Sequence, residues 1–273
     1  MPTAGVTIFG ILNVTRDSFS DGGRYFDPGA ALSHALALVE DGADVVDVGA
    51  ASSNPEAEAV SADEEIARLA LVLKELISRG IAVSVDSWQP SVQRFALESG
   101  VTWLNDIRGF AEAGFYPELA ASSARLVVMH SISGAARATR ENTDAAQVYS
   151  GMLAFFDARI ADLEVAGVSR ERLVLDPGMG LFLGSDPAPS MLVLQRLSQW
   201  RERYGLPVLI SVSRKSFVGH LAGRPVGQRA AASLAAELFA VERGATMIRT
   251  HEPRLLRDAL LVQAALRDLH GPG

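Results

Sequence analysis

Eight short apolar runs, separated by longer segments of helical pattern, constrain this chain more than any other feature. The runs are residues 6–12, 45–48, 82–85, 102–104, 126–129, 173–175, 208–212 and 246–248. Helical periodicity fills much of the intervening chain, for example at 28–41, 62–78, 91–98, 144–166, 228–243 and 253–269. The punctuation agrees. Gly42, Gly80, Gly100, Gly167 and Gly244 each stand just past a helical pattern, where glycine takes the left-handed position. Asp27-Pro28 and Glu252-Pro253 put proline where helices begin, and Ser61 with Glu64 reads as a capping box. A strand followed by a helix followed by a strand pairs in parallel, because the crossover needs a helix's length of chain. Eight such units predict a closed (β/α)8 barrel of the TIM type, one domain over residues 1–273, and that length suits a barrel of about 250 residues. An open doubly wound sheet is the main competitor. No Gly-x-Gly-x-x-Gly follows the first run, which weakens a dinucleotide-binding reading.

Composition narrows the function. The net charge is −7 and no Lys/Arg run stands out, so no nucleic-acid partner is expected. No apolar segment reaches the length of a membrane span, and no membrane partner is expected either. The absence of cysteine excludes disulfides, thiolate nucleophiles and Cys-based zinc sites. The N-terminus lacks the charged start and cleavage site of a signal peptide, and the reading places the protein in the cytoplasm.

In a barrel of this kind the chemistry sits at the C-terminal ends of the strands. Here those ends carry Asn13, Asp47 then Gly49, Asp86-Ser87, Asn105-Asp106, His130-Ser131, Asp176-Pro177-Gly178, Ser213-Arg214-Lys215-Ser216 and Arg249-Thr250-His251. Asp86, Asn105 and Asp176 suit a flat heterocycle with adjacent N–H donors. They equally fit a general acid and base, a metal site, or pairing with Arg214 or Lys215. Lys215, Arg249 and His251, with Asn13 and the first loop beside them, form a cationic half suited to phosphate or pyrophosphate with bridging Mg2+. His251 also fits a hydrogen-bonding role at a helix start. Ser216 precedes a short helix whose first N–H groups can hold a carboxylate. The residues alone point to an enzyme that binds a nitrogen-rich ring and an oxyanion, without fixing the reaction.

These motifs resemble the dihydropteroate synthase family over nearly the whole chain, about residues 6 to 269. The resemblance rests on G-I-L-N-V-T-R-D-S-F-S-D-G-G at 10–23, D-V-V-D-V-G at 44–49, S-V-D-S at 84–87 and N-D-I at 105–107. It continues with V-M-H at 128–130, L-D-P-G-M-G at 175–180, S-R-K-S at 213–216 and R-T-H at 249–251. It implies condensation of 6-hydroxymethyl-7,8-dihydropterin diphosphate with p-aminobenzoate, through an SN1-like loss of pyrophosphate. By the same resemblance Asp86, Asn105 and Asp176 bind the pterin with Lys215 beside the ring. Asn13, Arg249 and His251 hold pyrophosphate and Mg2+, Asn13 being the metal ligand. Ser216 lies near the p-aminobenzoate carboxylate, and Ser53, Pro55, Met129 and Phe182 complete the substrate contacts. A homodimer is also implied; the Ala-rich helices near 228–243 and 253–266 fit a dimer face and equally fit barrel core.

The chain departs from the family pattern in places. Asn54 stands where the family's S-T-R-P has arginine, and Arg16 stands where proline usually follows N-V-T. Arg16 is read as partly replacing that charge; an Arg16→Ala variant with unchanged kcat/KM for the pterin diphosphate would exclude it. The segment from Thr15 to Gly23 is read as a lid. Ser211 replaces a glycine beside the pterin pocket. The family's D-P-G-F-G-F-G-K becomes Asp176-Pro177-Gly178-Met179-Gly180-Leu181-Phe182-Leu183-Gly184, about two residues longer and without the lysine. In this it resembles the sulfonamide-insensitive, mobile-element synthases. Leu181 and Phe182 are expected to fill space that the outer ring of a sulfonamide needs. A pterin-binding methyltransferase and a catalytically defective paralogue are the alternatives, separated by pyrophosphate release that depends on p-aminobenzoate.

Overall fold

Alternation along the strands decides which residues plug the centre. The computed structural model describes residues 5–15, 27–51, 60–134 and 142–268. The strands are β1 (Thr7–Asn13), β2 (Val45–Gly49), β3 (Val83–Asp86), β4 (Trp103–Asp106), β5 (Arg125–Met129), β6 (Leu173–Asp176), β7 (Leu209–Ile210) and β8 (Met247–Thr250). They form one sheet in the order β6-β5-β4-β3-β2-β1-β8-β7, and every ladder is parallel. An isolated parallel bridge between Leu175 and Val208, with Leu175 N–H donating to Pro207 O at 3.0 Å, joins β6 to β7 and closes the ring. The barrel expected from the alternation is therefore the fold found.

Phe9, Val45, Trp103, Val127, Val174, Leu209 and Met247 come together as one buried cluster at the N-terminal end of the interior. Phe9 and Trp103 meet edge to face at 5.0 Å. The opposite strand faces, such as Val46, Val48, Val85, Leu104, Val128 and Leu175, pack outward into the main core with the helices. Burial on both faces explains why the runs read as continuously apolar rather than alternating.

Among the described residues ten α-helices ring the sheet. They are α1 (Pro28–Glu40), α2 (Ala62–Ser78), α3 (Pro90–Ser99), α4 (Tyr116–Ala121), α5 (Ala145–Val165), α6 (Pro187–Gln195), α7 (Leu197–Tyr204), α8 (Ser216–Ala222), α9 (Ala230–Glu242) and α10 (Pro253–Asp268). Each long helix buries one stripe. In α2 it is Leu69, Val72, Leu73 and Leu76, and in α5 Val148, Met152, Phe156, Ile160 and Leu163. The caps are those the sequence announces: Asp27 accepts from Gly29 N, Ser61 accepts from Glu64 N, and Pro28 and Pro253 open their helices. All five glycines expected past helix ends adopt positive φ. One strand is shorter than expected. The run 208–212 yields only Leu209–Ile210 as ladder, because the chain is already turning at Val212, whose carbonyl accepts from Lys215 N at 3.1 Å.

Candidate active site

The interior changes character one step above the apolar plug. By the two-residue period of the strands, Asp47 follows Val45 inward, Asn105 follows Trp103, Asp176 follows Val174, and Arg249 follows Met247. Arg249 reaches across the barrel. Its Nε donates to Asp47 Oδ2 at 2.5 Å and its Nη2 to Asp86 Oδ2 at 2.8 Å. Asn105 Nδ2 approaches the same Asp47 oxygen at 3.5 Å. One cation thus ties together two acids from neighbouring strands. The sequence reading put Arg249 in a separate, phosphate-binding half; the structure places it among the carboxylates. Arg214 and Lys215 were the partners considered for those acids, but Arg214 pairs with Glu252.

Asp47, at a strand end but outside the residues the sequence singles out, is fully buried and central. Its signal was present. In D-V-V-D-V-G it alternates with Val45 and Gly49 on the inward face, where a carboxylate needs a purpose. Among the described residues four buried polar atoms here have no hydrogen-bond partner: Asp47 Oδ1, Ser84 Oγ, Asn105 Oδ1 and Ser211 Oγ. Unsatisfied groups at this density in a native interior call for an explanation, and a polar ligand supplies one.

The electrostatics follow from burial. Burial raises Asp86 to about 7, against the pull of Arg249, and raises Asp176 to about 6. Burial, with Arg249 close by, lowers Lys215 to about 8. Arg249 is held protonated against its own burial by Asp47 and Asp86. His251 differs from its expected place in a cationic half. Burial first, then Arg214, Arg249 and Lys215, lower it to about 3, so it is neutral, with Nδ1 against Ser213 Oγ at 3.0 Å.

An apolar wall faces these groups. Ile107, Met129 and Phe182 form a small buried cluster with Trp88 against it, and Lys215 Nζ lies 4.5 Å from the centre of the Phe182 ring. The turn carrying Phe182 is anchored at several points. Gly178 N–H donates to Asp176 Oδ1 at 2.8 Å and Gly180 N–H to Ser190 Oγ at 2.9 Å. Ile132 N–H donates to Phe182 O at 3.0 Å and Thr143 Oγ1 to Leu183 O at 2.7 Å. Of the apolar residues in this lengthened loop, Phe182 faces the wall, Leu183 enters the main core and Leu181 is half-buried. His130 is structural: buried, lowered to about 4 by that burial, its Nδ1 lies 3.3 Å from Pro177 O.

Asn13 ends β1 with an exposed side chain at the barrel mouth, and Ser216 begins α8 directly after Lys215. Among the described residues no group of three His, Cys, Asp or Glu forms a metal cluster. Ser53, Pro55, Arg16, Asn54 and the expected lid after Thr15 lie outside the described residues. The arrangement can clamp a flat, donor-rich ring between carboxylates and an apolar wall, with cations at its rim.

The profile of the family described as pterin binding enzyme matches residues 9–251. The chain is 58% identical over 261 residues to dihydropteroate synthase type-2 of Escherichia coli, covering 96% of each protein. It is 51% identical over 259 residues to dihydropteroate synthase type-3 of the same organism, covering 95% of this chain and 98% of that one. Among solved structures it is similar to the dihydropteroate synthase of Xanthomonas albilineans in complex with 7,8-dihydropteroate. That similarity has a TM-score of 0.84 at 34% identity and covers 98% of this chain and 95% of the other.

Proposed function

The chain belongs to the pterin-binding enzyme family, in its dihydropteroate synthase branch, and we propose that it performs that chemistry in the site just described. The reaction joins 6-hydroxymethyl-7,8-dihydropterin diphosphate to p-aminobenzoate, giving 7,8-dihydropteroate and pyrophosphate. The observation that carries the assignment is the set of unpartnered atoms Asp47 Oδ1, Ser84 Oγ, Asn105 Oδ1 and Ser211 Oγ beside Asp86 and Asp176. An aminopyrimidinone edge offers the N–H donors that the carboxylate and amide oxygens lack, and its flat face fits against Met129, Ile107 and Phe182.

In this reading the bond from the pterin methylene to the diphosphate oxygen breaks first, and its electron pair leaves with pyrophosphate. Asp86 and Asp176 stabilise the positive charge that develops on the ring, acting through space rather than as proton carriers. The aniline nitrogen of p-aminobenzoate then bonds to the methylene carbon and loses a proton to solvent. Lys215 orients the pterin, Ser216 receives the p-aminobenzoate carboxylate, and Arg249 and neutral His251 face the departing oxygens as hydrogen-bond donors. The direct test is pyrophosphate release by the purified protein. With both substrates, dihydropteroate is expected in amounts equal to the pyrophosphate released; pyrophosphate release with no dihydropteroate formed would overturn the assignment.

Mg2+ fits this arrangement. Asn13 offers one hard oxygen at the exposed mouth, and Mg2+ is commonly held by few protein ligands plus phosphate oxygens and water. When bound, it would neutralise diphosphate charge and ease departure of the leaving group.

Half-buried Asp86 and Lys215 predict a narrow bell in kcat/KM for the pterin diphosphate. Asp86, at about 7, must be ionised to accept from the ring, so activity falls as pH drops below 7. Lys215, at about 8, loses its charge above that value, so activity falls again. A profile flat from pH 5.5 to 7 would contradict an ionised Asp86. The Lys215→Met variant is expected to keep the acid limb and lose the alkaline one.

Sulfonamide insensitivity is proposed on the same loop. Ile132 N–H fixes the Phe182 carbonyl and so the turn, and the Phe182 ring packs with Ile107 and Met129, where it occupies space a bulky substituent needs. Steric rejection of this kind costs the natural substrate little. Deleting residues 181 and 182 is expected to lower the Ki for sulfamethoxazole roughly tenfold or more, with a smaller change in KM for p-aminobenzoate. A low Ki in the intact enzyme would count against the idea.

A cytoplasmic homodimer completes the proposal. Leu255, Val262 and Leu266 of α10 are 42%, 59% and 56% exposed, and their spacing puts them on one helix face. A monomer by sedimentation at micromolar concentration would exclude the dimer.

A further inference from the structure

Lys215 follows a residue that is difficult to hold. Arg214 is one of two non-glycine residues with positive φ among those described, at 59°, and its backbone direction sets where Lys215 points. What keeps it there lies outside the barrel, on α9. Ser233 Oγ accepts from Arg214 N–H at 3.0 Å. One turn earlier, Arg229 Nη1 donates to Arg214 O at 2.9 Å and to Lys215 O at 3.2 Å. Both polar atoms of the left-handed peptide are therefore met by side chains of α9 and its cap.

Arg229 reaches those carbonyls by lying across Gly219 of α8. A Cβ built on Gly219 would stand 2.1 Å from Arg229 Nε and 2.2 Å from its Cζ. One turn further along, Glu237 is buried beside Thr250, the residue between Arg249 and His251, and Thr250 lowers its carboxyl against the rise that burial causes. Residues 229, 233 and 237 are spaced by four, so they share one face of the helix. The surrounding positions of α9 are largely alanine.

We propose that the Arg229–Ser233–Glu237 stripe of α9 is a positioning element for the reaction, acting chiefly by holding the Arg214 turn so that Lys215 stays over Phe182 and beside Asp86 and Asp176. The proposal rests on the assignment of Lys215 to the pterin site. None of the three residues touches substrate in this scheme. Their effect passes through the backbone of residues 214 and 215 and the end of β8.

A double-mutant cycle tests it. Ser233→Ala is expected to lower kcat/KM for the pterin diphosphate by about 10- to 100-fold, the scale of a misplacement near 1 Å. In a Lys215→Met background the same change is expected to cost less than about twofold, because the group it positions is already gone. Gly219→Ala, which pushes the Arg229 guanidinium off the two carbonyls without altering α9, is expected to repeat the pattern and serves if Ser233→Ala does not fold. Equal losses in both backgrounds, or no loss in either, would overturn the proposal. If Lys215→Met alone leaves kcat/KM unchanged, the assignment of Lys215 falls and takes the proposal with it. If Lys215→Met is damaging but uncoupled from Ser233, only the role of α9 falls.

Discussion

Replacing Arg249 by leucine is expected to cost the protein stability and activity together. The guanidinium is the shared partner of Asp47, whose side chain is wholly buried, and of Asp86. Removing it leaves two acids from adjacent strands facing each other without a cation, and breaking a buried pair in this way costs about 3–5 kcal/mol. The loss has a pH signature with a definite sign. Asp86 is already raised to about 7 by burial against the pull of Arg249, with Lys215 a smaller opposing charge, so without the arginine it rises further. A carboxyl whose folded pKa exceeds its unfolded value loses stability as pH rises between the two. The variant is therefore expected to be closest to the parent near pH 5 and furthest from it near pH 8. Asp47→Asn in the same background should restore part of the loss. Activity is expected to fall by at least about 10³-fold, since a preorganised donor and a positioning contact vanish together. Urea denaturation at the two pH values and kcat/KM measure both effects. A variant that loses activity with an unchanged, pH-independent midpoint would mean that Arg249 serves the substrate alone.

Gly178→Ala is the second severe change. Gly178 has φ of 69°, and a Cβ there would stand 2.3 Å from His130 O and 3.2 Å from Phe182 Cβ. The carbonyl belongs to the backbone after β5 and cannot rotate away, so the turn must move. That turn carries the N–H bonded to Asp176 Oδ1 and leads directly into the wall residue Phe182. A loss of about 10²-fold or more in kcat/KM is expected, with a lower Tm. Gly180→Ala is the useful contrast. Its new methyl would meet Ser216 Oγ at 3.1 Å, which can rotate, and Lys215 Cβ at 3.3 Å, where a shift of a few tenths of an ångström suffices. It is expected to be milder by about tenfold at equal protein stability. Parity between the two variants would show that strain at positive φ, not the His130 contact, controls the turn.

The barrel was legible because two periods survive in the sequence, two residues in the strands and 3.6 in the helices, with prolines and glycines marking the junctions. β7 was overestimated because Val208 to Val212 is apolar enough for a strand while the hydrogen bond from Lys215 to Val212 turns the chain. Most of the pocket was legible as a list of strand ends. Its wiring was not, because Arg249 meets Asp47 and Asp86 across 202 and 163 residues of chain. Side-chain reach across a barrel leaves no periodic trace. The charge of His251 was misread for a related reason: burial beside Arg214, Arg249 and Lys215 exists only in three dimensions. Asp47 stands out only in three dimensions, through its contacts with Arg249 and Asn105 from distant strands.

The closure of the ring has a mechanical consequence. Seven junctions between strands are ladders of paired residues, while β6 and β7 meet through the single bridge at Leu175 and Val208. The barrel therefore has one seam that can widen at the expense of few hydrogen bonds. Asp176 ends the strand on one lip of that seam, and Lys215 follows the strand on the other. A small opening there changes the gap between an acid and a base that both face the pterin pocket, while the other ladders stay intact.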